Sequence, residues 1–145
     1  MAETTVLRVL VALFLVLETA NVLALYLAPG SRRFNAVGVF AGWQASMGHP
    51  DLHAFVRYLV FWVAGTKVIV IALWLVILLV GEPRTQVVAS IVMVPAIATF
   101  YWRLFPIVRR LDRRGQVEPT GYSRVLGAMI AGFIAAFVVA VAASL

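Results

Sequence analysis

The chain has 145 residues, 63% of them hydrophobic and 12% charged, with a formal net charge of +6 and a mean hydropathy of +1.01. These proportions lie outside the range of soluble domains and inside that of polytopic membrane proteins. The lack of cysteine excludes disulfides, thiolate nucleophiles, iron–sulfur ligation and zinc thiolate sites, and the basic charge flanks apolar runs, which reads as topology and lipid attraction rather than nucleic-acid binding.

The first apolar run, 6–28, is long enough to cross a bilayer and carries one carboxylate near its middle, Glu18. Asn21 follows three residues later and shares its helix face. The leader holds Glu3 and no basic side chain, and no small-x-small cleavage site follows, so the run is expected to be a retained helix rather than a signal. The connection 29–54 is longer than a simple link requires. Phe34, Val37, Val39, Phe40 and Trp43 stand in it among glycines and alanines, a mixture compatible with a short helix at the membrane surface or with a loop held by one aromatic anchor.

Pro50 suits a first helical turn and Asp51 suits its positive end, so the second helix is predicted to begin before its apolar run, 55–80. That run carries Lys67, the only lysine of the chain. The polar turn 81–85 makes the second and third spans antiparallel neighbours. In the third run, 86–108, Pro95 removes a backbone donor and predicts a kink, read as a packing feature, and Pro106 is placed to end the helix. The basic loop 109–121 follows. In the fourth run, 122–145, Ala128, Gly132, Ala136 and Ala140 recur every fourth residue, a small-residue face that lets another helix approach closely; it is assigned to packing within the bundle in preference to a dimer seam.

Four such runs without the alternation of barrel strands predict an all-α, integral membrane four-helix bundle forming one domain. Arg32 and Arg33 in one long connection, and Arg109, Arg110, Arg113 and Arg114 in the other, place both connections in the cytoplasm by the positive-inside rule, with both termini on the extracytoplasmic side. Tyr26, Tyr58, Trp62, Tyr101, Trp102 and Tyr122 fall near the same interface. The same arginines are candidates for lipid-phosphate contact. Abundant Ala, Val and Arg with scarce Lys fit a GC-rich bacterial genome, hence a bacterial plasma (inner) membrane.

Depth along the membrane normal singles out one constellation. At about 1.5 Å per residue, Glu18 lies roughly 18 Å into its helix and Lys67 roughly 20 Å into the next, counted from the same side. Thr99 reaches a similar depth on the third span, and Arg103 sits about one turn nearer the interface. An isolated charge there costs on the order of 3 kcal/mol, so Glu18 and Lys67 are expected to pair within the bundle, with hydrogen bonds from Asn21, Thr99 or Thr66. The pair has two readings: a static bridge setting helix register, and a protonatable couple on a transport path.

His49 and His53 have i, i+4 spacing, but Pro50 puts His49 at or before the helix start and no further ligands stand nearby, so no metal site is assigned, and no haem or other cofactor. No Gly-x-Ser-x-Gly, His-Glu-x-x-His, phosphate-loop or dinucleotide motif occurs. The chain therefore reads as a non-enzymatic scaffold or accessory subunit with a buried Glu18–Lys67 pair, in contact with the bilayer and with further copies or a larger membrane complex. The alternative is a small proton- or ion-coupled carrier or channel, and the third reading a lipid-modifying enzyme.

Overall fold

The computed structural model describes residues 2–145. Its helices are α1 (Ala2–Leu27), the short α2 (Ala41–Ser46), α3 (Pro50–Val80), α4 (Pro83–Ala98), α5 (Phe100–Arg113) and α6 (Tyr122–Ala142), with a 3-10 turn at Val37–Val39. Four stretches, Thr5–Leu27, Pro50–Val80, Pro83–Arg113 and Tyr122–Ala142, are helical, long and apolar enough to cross a membrane. Their outer faces are covered with exposed large side chains such as Val16, Leu23, Ile69, Leu73, Leu79, Val92 and Val139. An exterior so apolar is stable only where the surroundings are apolar too, which marks a multi-pass membrane protein.

The termini of these helices follow local chemistry. Proline stands at the first turn of both α3 and α4, where its missing donor has no intrahelical partner to lose, and Asp51 lies in the first turn of α3. α3 thus starts before its apolar run, as the sequence predicts. It ends at Gly81, whose N–H bonds the carbonyl of Ile77 at 3.0 Å; a β-carbon there would lie 2.4 Å from that oxygen. Gln86 then reaches back, its amide nitrogen donating to the carbonyls of Ile77, Leu78 and Gly81 at 3.0–3.3 Å. Arg8 adds a further contact to Leu78 O at 3.3 Å. These donors satisfy carbonyls that a helix end leaves unpaired. Gln86→Leu is expected to lower stability by about 1–2 kcal/mol, seen as a reduced thermal midpoint in detergent.

The third span departs from its expected form. It divides at Thr99, four residues after Pro95, into α4 and α5. The Thr99 N–H is shared between the carbonyls of Pro95 and Ala96, and Trp102 N–H bonds Thr99 O at 3.0 Å, the tighter i to i−3 pattern that accompanies a disturbed ladder. Pro106 does not end the helix. It lies inside α5, which continues to Arg113, because only one donor is lost and the following turns retain theirs.

The spans pack as α3 on α1, α1 on α6, and α6 on α4 and α5. α3 and α4 touch little despite their short connection, because α1 and α6 take the faces each needs to bury. One apolar core lies toward the termini. Leu7, Val11 and Leu15 of α1 meet Trp74, Val87, Met93, Phe137, Ala140 and Val141 there, and Phe14 sets its ring edge against Phe133 and Phe137 at 6.2 and 5.9 Å. A second core, Ala24, Leu25, Ala36, Trp43, Val60 and Ala64, lies at the opposite end.

The long connection after α1 is ordered by backbone contacts and carries α2, as one of the two readings anticipates. Val37 N–H bonds Pro29 O and Gly38 N–H bonds Ser31 O, folding it on itself. It also zips to the connection after α5: Ala41 N–H bonds Gln116 O and Glu118 N–H bonds Val39 O, both at 2.9 Å, around an antiparallel bridge of Phe40 and Val117. Both long connections therefore form one cap at the end opposite the termini.

On α6 the small-residue face splits. Ala140 is buried in the first core and Ala136 half-buried, while Ala128 and Gly132 are exposed with open space beside Gly132. The expected packing within the bundle holds only toward the C-terminus, because Leu126, Gly127 and Phe137 turn a neighbouring stripe inward. Gly127 has its own reason: a β-carbon there would come within 2.7 Å of the Phe105 ring, so its absence lets α5 approach.

Candidate functional site

The two apolar cores leave a gap, and polar side chains fill it. On α1, Leu15 belongs to the first core and Ala24 to the second, with Glu18 and Asn21 between them; on α3, Ala64 and Trp74 bracket Lys67 in the same way. All three polar residues stand on the stripe along which α1 and α3 meet. Lys67 Nζ lies 2.7 Å from Glu18 Oε2 and donates to Asn21 Oδ1 at 2.7 Å. The equal depths counted along the two antiparallel runs thus correspond to direct contact.

Asn21 is the hub. Its oxygen accepts from the lysine while its amide nitrogen donates to the backbone carbonyls of Phe34 and Asn35 in the connection. Those two residues adopt the left-handed conformation, with φ of 53° and 56°, a cost for any side chain other than glycine and least for asparagine. The unusual backbone aims both carbonyls at one amide. The chain of contacts continues outward, because the Tyr122 hydroxyl at the start of α6 donates to Asn35 Oδ1. Glu18, Lys67, Asn21, the 34–35 backbone and Tyr122 form a single network joining α1, α3, the cap and α6.

Burial of the pair is less than the sequence reading expects. Asn21 is 6% exposed, but the Lys67 and Glu18 side chains retain 32% and 28% of their accessible surface. The reason lies in the packing: α3 leans mainly on α1 and touches α4 little, so the pair stands in the seam between α1 and α3 rather than in the middle of the bundle. Thr99 does not join the network. It sits at the break between α4 and α5 and donates its hydroxyl to Ala96 O at 2.6 Å. Thr66 likewise turns to the carbonyls of Trp62 and Val63 on its own helix.

A second polar knot escapes the sequence reading. Asp112, taken there as part of a basic run, is buried and accepts from Gly121 N–H at 2.9 Å, Ser123 N–H at 2.9 Å and Ser123 Oγ at 2.6 Å. Its carboxylate caps the first turn of α6, the service that an N-cap side chain usually supplies locally. The only signal in the sequence is a lone acid among four arginines, too little to name its acceptors.

The remaining candidates separate by surroundings. Arg32 pairs with Glu118 at 2.6 Å on the exposed surface, joining the two connections; Arg33 is exposed. Arg109, Arg110, Arg113 and Arg114 line one groove on α5 together with Phe105 and Pro106. Arg103 lies over the Trp102 ring at 5.1 Å. His49 stands just before α3 in extended conformation, and His53 is engaged with Ser46 Oγ at 2.8 Å and the Trp43 ring. Among the described residues no three of His, Asp and Glu converge as metal ligands would.

No protein-family profile, curated protein or solved structure matches this chain.

Proposed function

We propose that the chain is a multi-pass protein of a bacterial inner membrane, with both termini outside, acting as a non-catalytic scaffold or accessory subunit whose polar layer is a structural clamp. One observation carries this reading: Lys67 is divided between Glu18 and Asn21, and Asn21 uses its remaining donor on the backbone of the cap. A group on a transport path needs freedom to exchange its partners. Here each contact of the ammonium is tied to a segment the fold itself positions. The orientation is supported by the cap, which gathers Arg32, Arg33, Arg109, Arg110, Arg113 and Arg114 at one end.

The partial exposure of the pair favours a second reading, a small proton- or ion-coupled carrier, since about a third of each charged side chain remains open to its surroundings. Proteoliposomes separate the two. With a trapped pH dye and an imposed proton or sodium gradient, the clamp reading expects flux equal to that of protein-free vesicles, in the wild type and in Lys67→Met alike. Flux in the wild type that disappears in Lys67→Met overturns it in favour of the carrier. Recovery of a stoichiometric membrane partner after gentle extraction would support the accessory role.

A further inference from the structure

We infer that the groove on α5 lined by Phe105, Pro106, Arg109, Arg110, Arg113 and Arg114 binds phosphate, in the form of an anionic phospholipid head group; this inference rests on the membrane reading above. The groove has a volume of about 430 Å³ and four of its six lining side chains are guanidinium groups. Its residues recur as 105, 109, 113 and 106, 110, 114, so the two rows run side by side along one helix face. The C-terminal turns of α5 favour such cations through the helix dipole.

No acid answers these charges. Among the described residues the two ion pairs are Arg32 with Glu118 and Lys67 with Glu18, and none of the four arginines belongs to either. The nearest carboxylate in sequence, Asp112, is taken up by Gly121 and Ser123. Four like charges on adjacent turns repel one another, and an anion between them relieves that repulsion. Guanidinium forks match phosphate oxygens in pairs, which gives the site its chemical class.

The source of the phosphate follows from what adjoins the groove. One turn toward the middle of the span on the same face stands Trp102, 73% exposed, with the Arg103 guanidinium over its ring at 5.1 Å. Along about three turns the face passes from the indole, through Phe105 and Pro106, to the four arginines. A phospholipid carries the same gradient, from acyl chain to ester region to phosphate, whereas a soluble anion would engage only the basic end. Aromatic residues at an interface and arginines just beyond it are the positions at which head groups are held.

The test uses the purified full-length chain in neutral detergent. Binding is followed by native mass spectrometry and by the shift in thermal midpoint on adding diphosphatidylglycerol, phosphatidylglycerol, phosphatidylcholine or inorganic pyrophosphate. The anionic lipids are expected to bind and stabilise, phosphatidylcholine to do neither, and pyrophosphate to bind at least about tenfold more weakly than the lipids. Arg109→Gln with Arg113→Gln should reduce affinity for the anionic lipids about twentyfold, with the lipid-free midpoint reporting that the variant is folded. Arg57→Gln with Arg84→Gln removes the same charge from exposed positions elsewhere and should leave affinity within about threefold of the wild type.

Equal losses in the two double variants would reduce the effect to net charge and overturn the assignment. Pyrophosphate binding as tightly as lipid would make the groove a site for soluble anions. Alkaline extraction separates the two levels of failure: a chain released from membranes by it ends the membrane reading and this inference together, whereas a chain that stays, with variant and wild type binding lipid alike, ends this inference alone.

Discussion

Lys67→Leu is expected to lower the stability of the protein in detergent by about 2–3 kcal/mol, toward the lower end of what breaking a buried pair costs because the pair is partly exposed. Two acceptors lose their donor at once: the Glu18 carboxylate and Asn21 Oδ1, each 2.7 Å from the ammonium. Glu18→Leu leaves the ammonium with the neutral Asn21 amide in place of its carboxylate and should cost a similar amount. The double variant removes both charges from a costly environment and should be more stable than the sum of single losses predicts, by about 2 kcal/mol of coupling. With those losses and that coupling it should remain about 2–4 kcal/mol below the wild type, and Asn21 Oδ1 still lacks a donor. Thermal or chemical unfolding of the four proteins gives the cycle, and simple additivity would refute the clamp.

The second large effect is expected at Gly38. A β-carbon at that position would lie 1.9 Å from Gly30 O, 2.4 Å from Gly30 C and 2.6 Å from Ser31 O. These are backbone atoms of the same cap, and no side-chain rotation relieves the overlap. Gly38→Ala should therefore displace the connection, breaking the bond from Gly38 N–H to Ser31 O and with it the seat for Asn21. A loss above about 3 kcal/mol is expected, together with rapid proteolysis between α1 and α3 under conditions in which the wild type resists. Gly42, in α2, has open space around it. Gly42→Ala should instead stabilise by about 0.5–1 kcal/mol, because alanine restricts the unfolded chain more than glycine and the backbone there suits it. If both variants are cleaved at the wild-type rate, the cap is not the rigid unit described.

The contrast between these positions shows where sequence reasoning reaches. Span number, the start of α3 at Pro50 and the meeting of Glu18 with Lys67 are legible because apolar length and rise per residue are regular quantities. The same count that paired the charges placed Thr99 beside them, and there it failed. Depth fixes only one coordinate, and the face that Thr99 presents was changed by the break after Pro95. Asn21 was legible as a neighbour of Glu18, but its bonds to Phe34 and Asn35 depend on two left-handed residues that no local motif announces. Asp112 was hidden for a related reason. Its acceptor role depends on Gly121 and Ser123 arriving across a loop, a tertiary circumstance rather than a pattern.

The zipped connections also bear on how the chain is made. Synthesis delivers α1 and the 28–49 segment well before Gln116, Glu118 and Tyr122, yet Ala41, Val39 and Asn35 find their partners among those late residues. A nascent chain that has emerged only as far as α5 lacks the edge that finishes the cap. The early half therefore lacks these partners until the start of the last helix has been made.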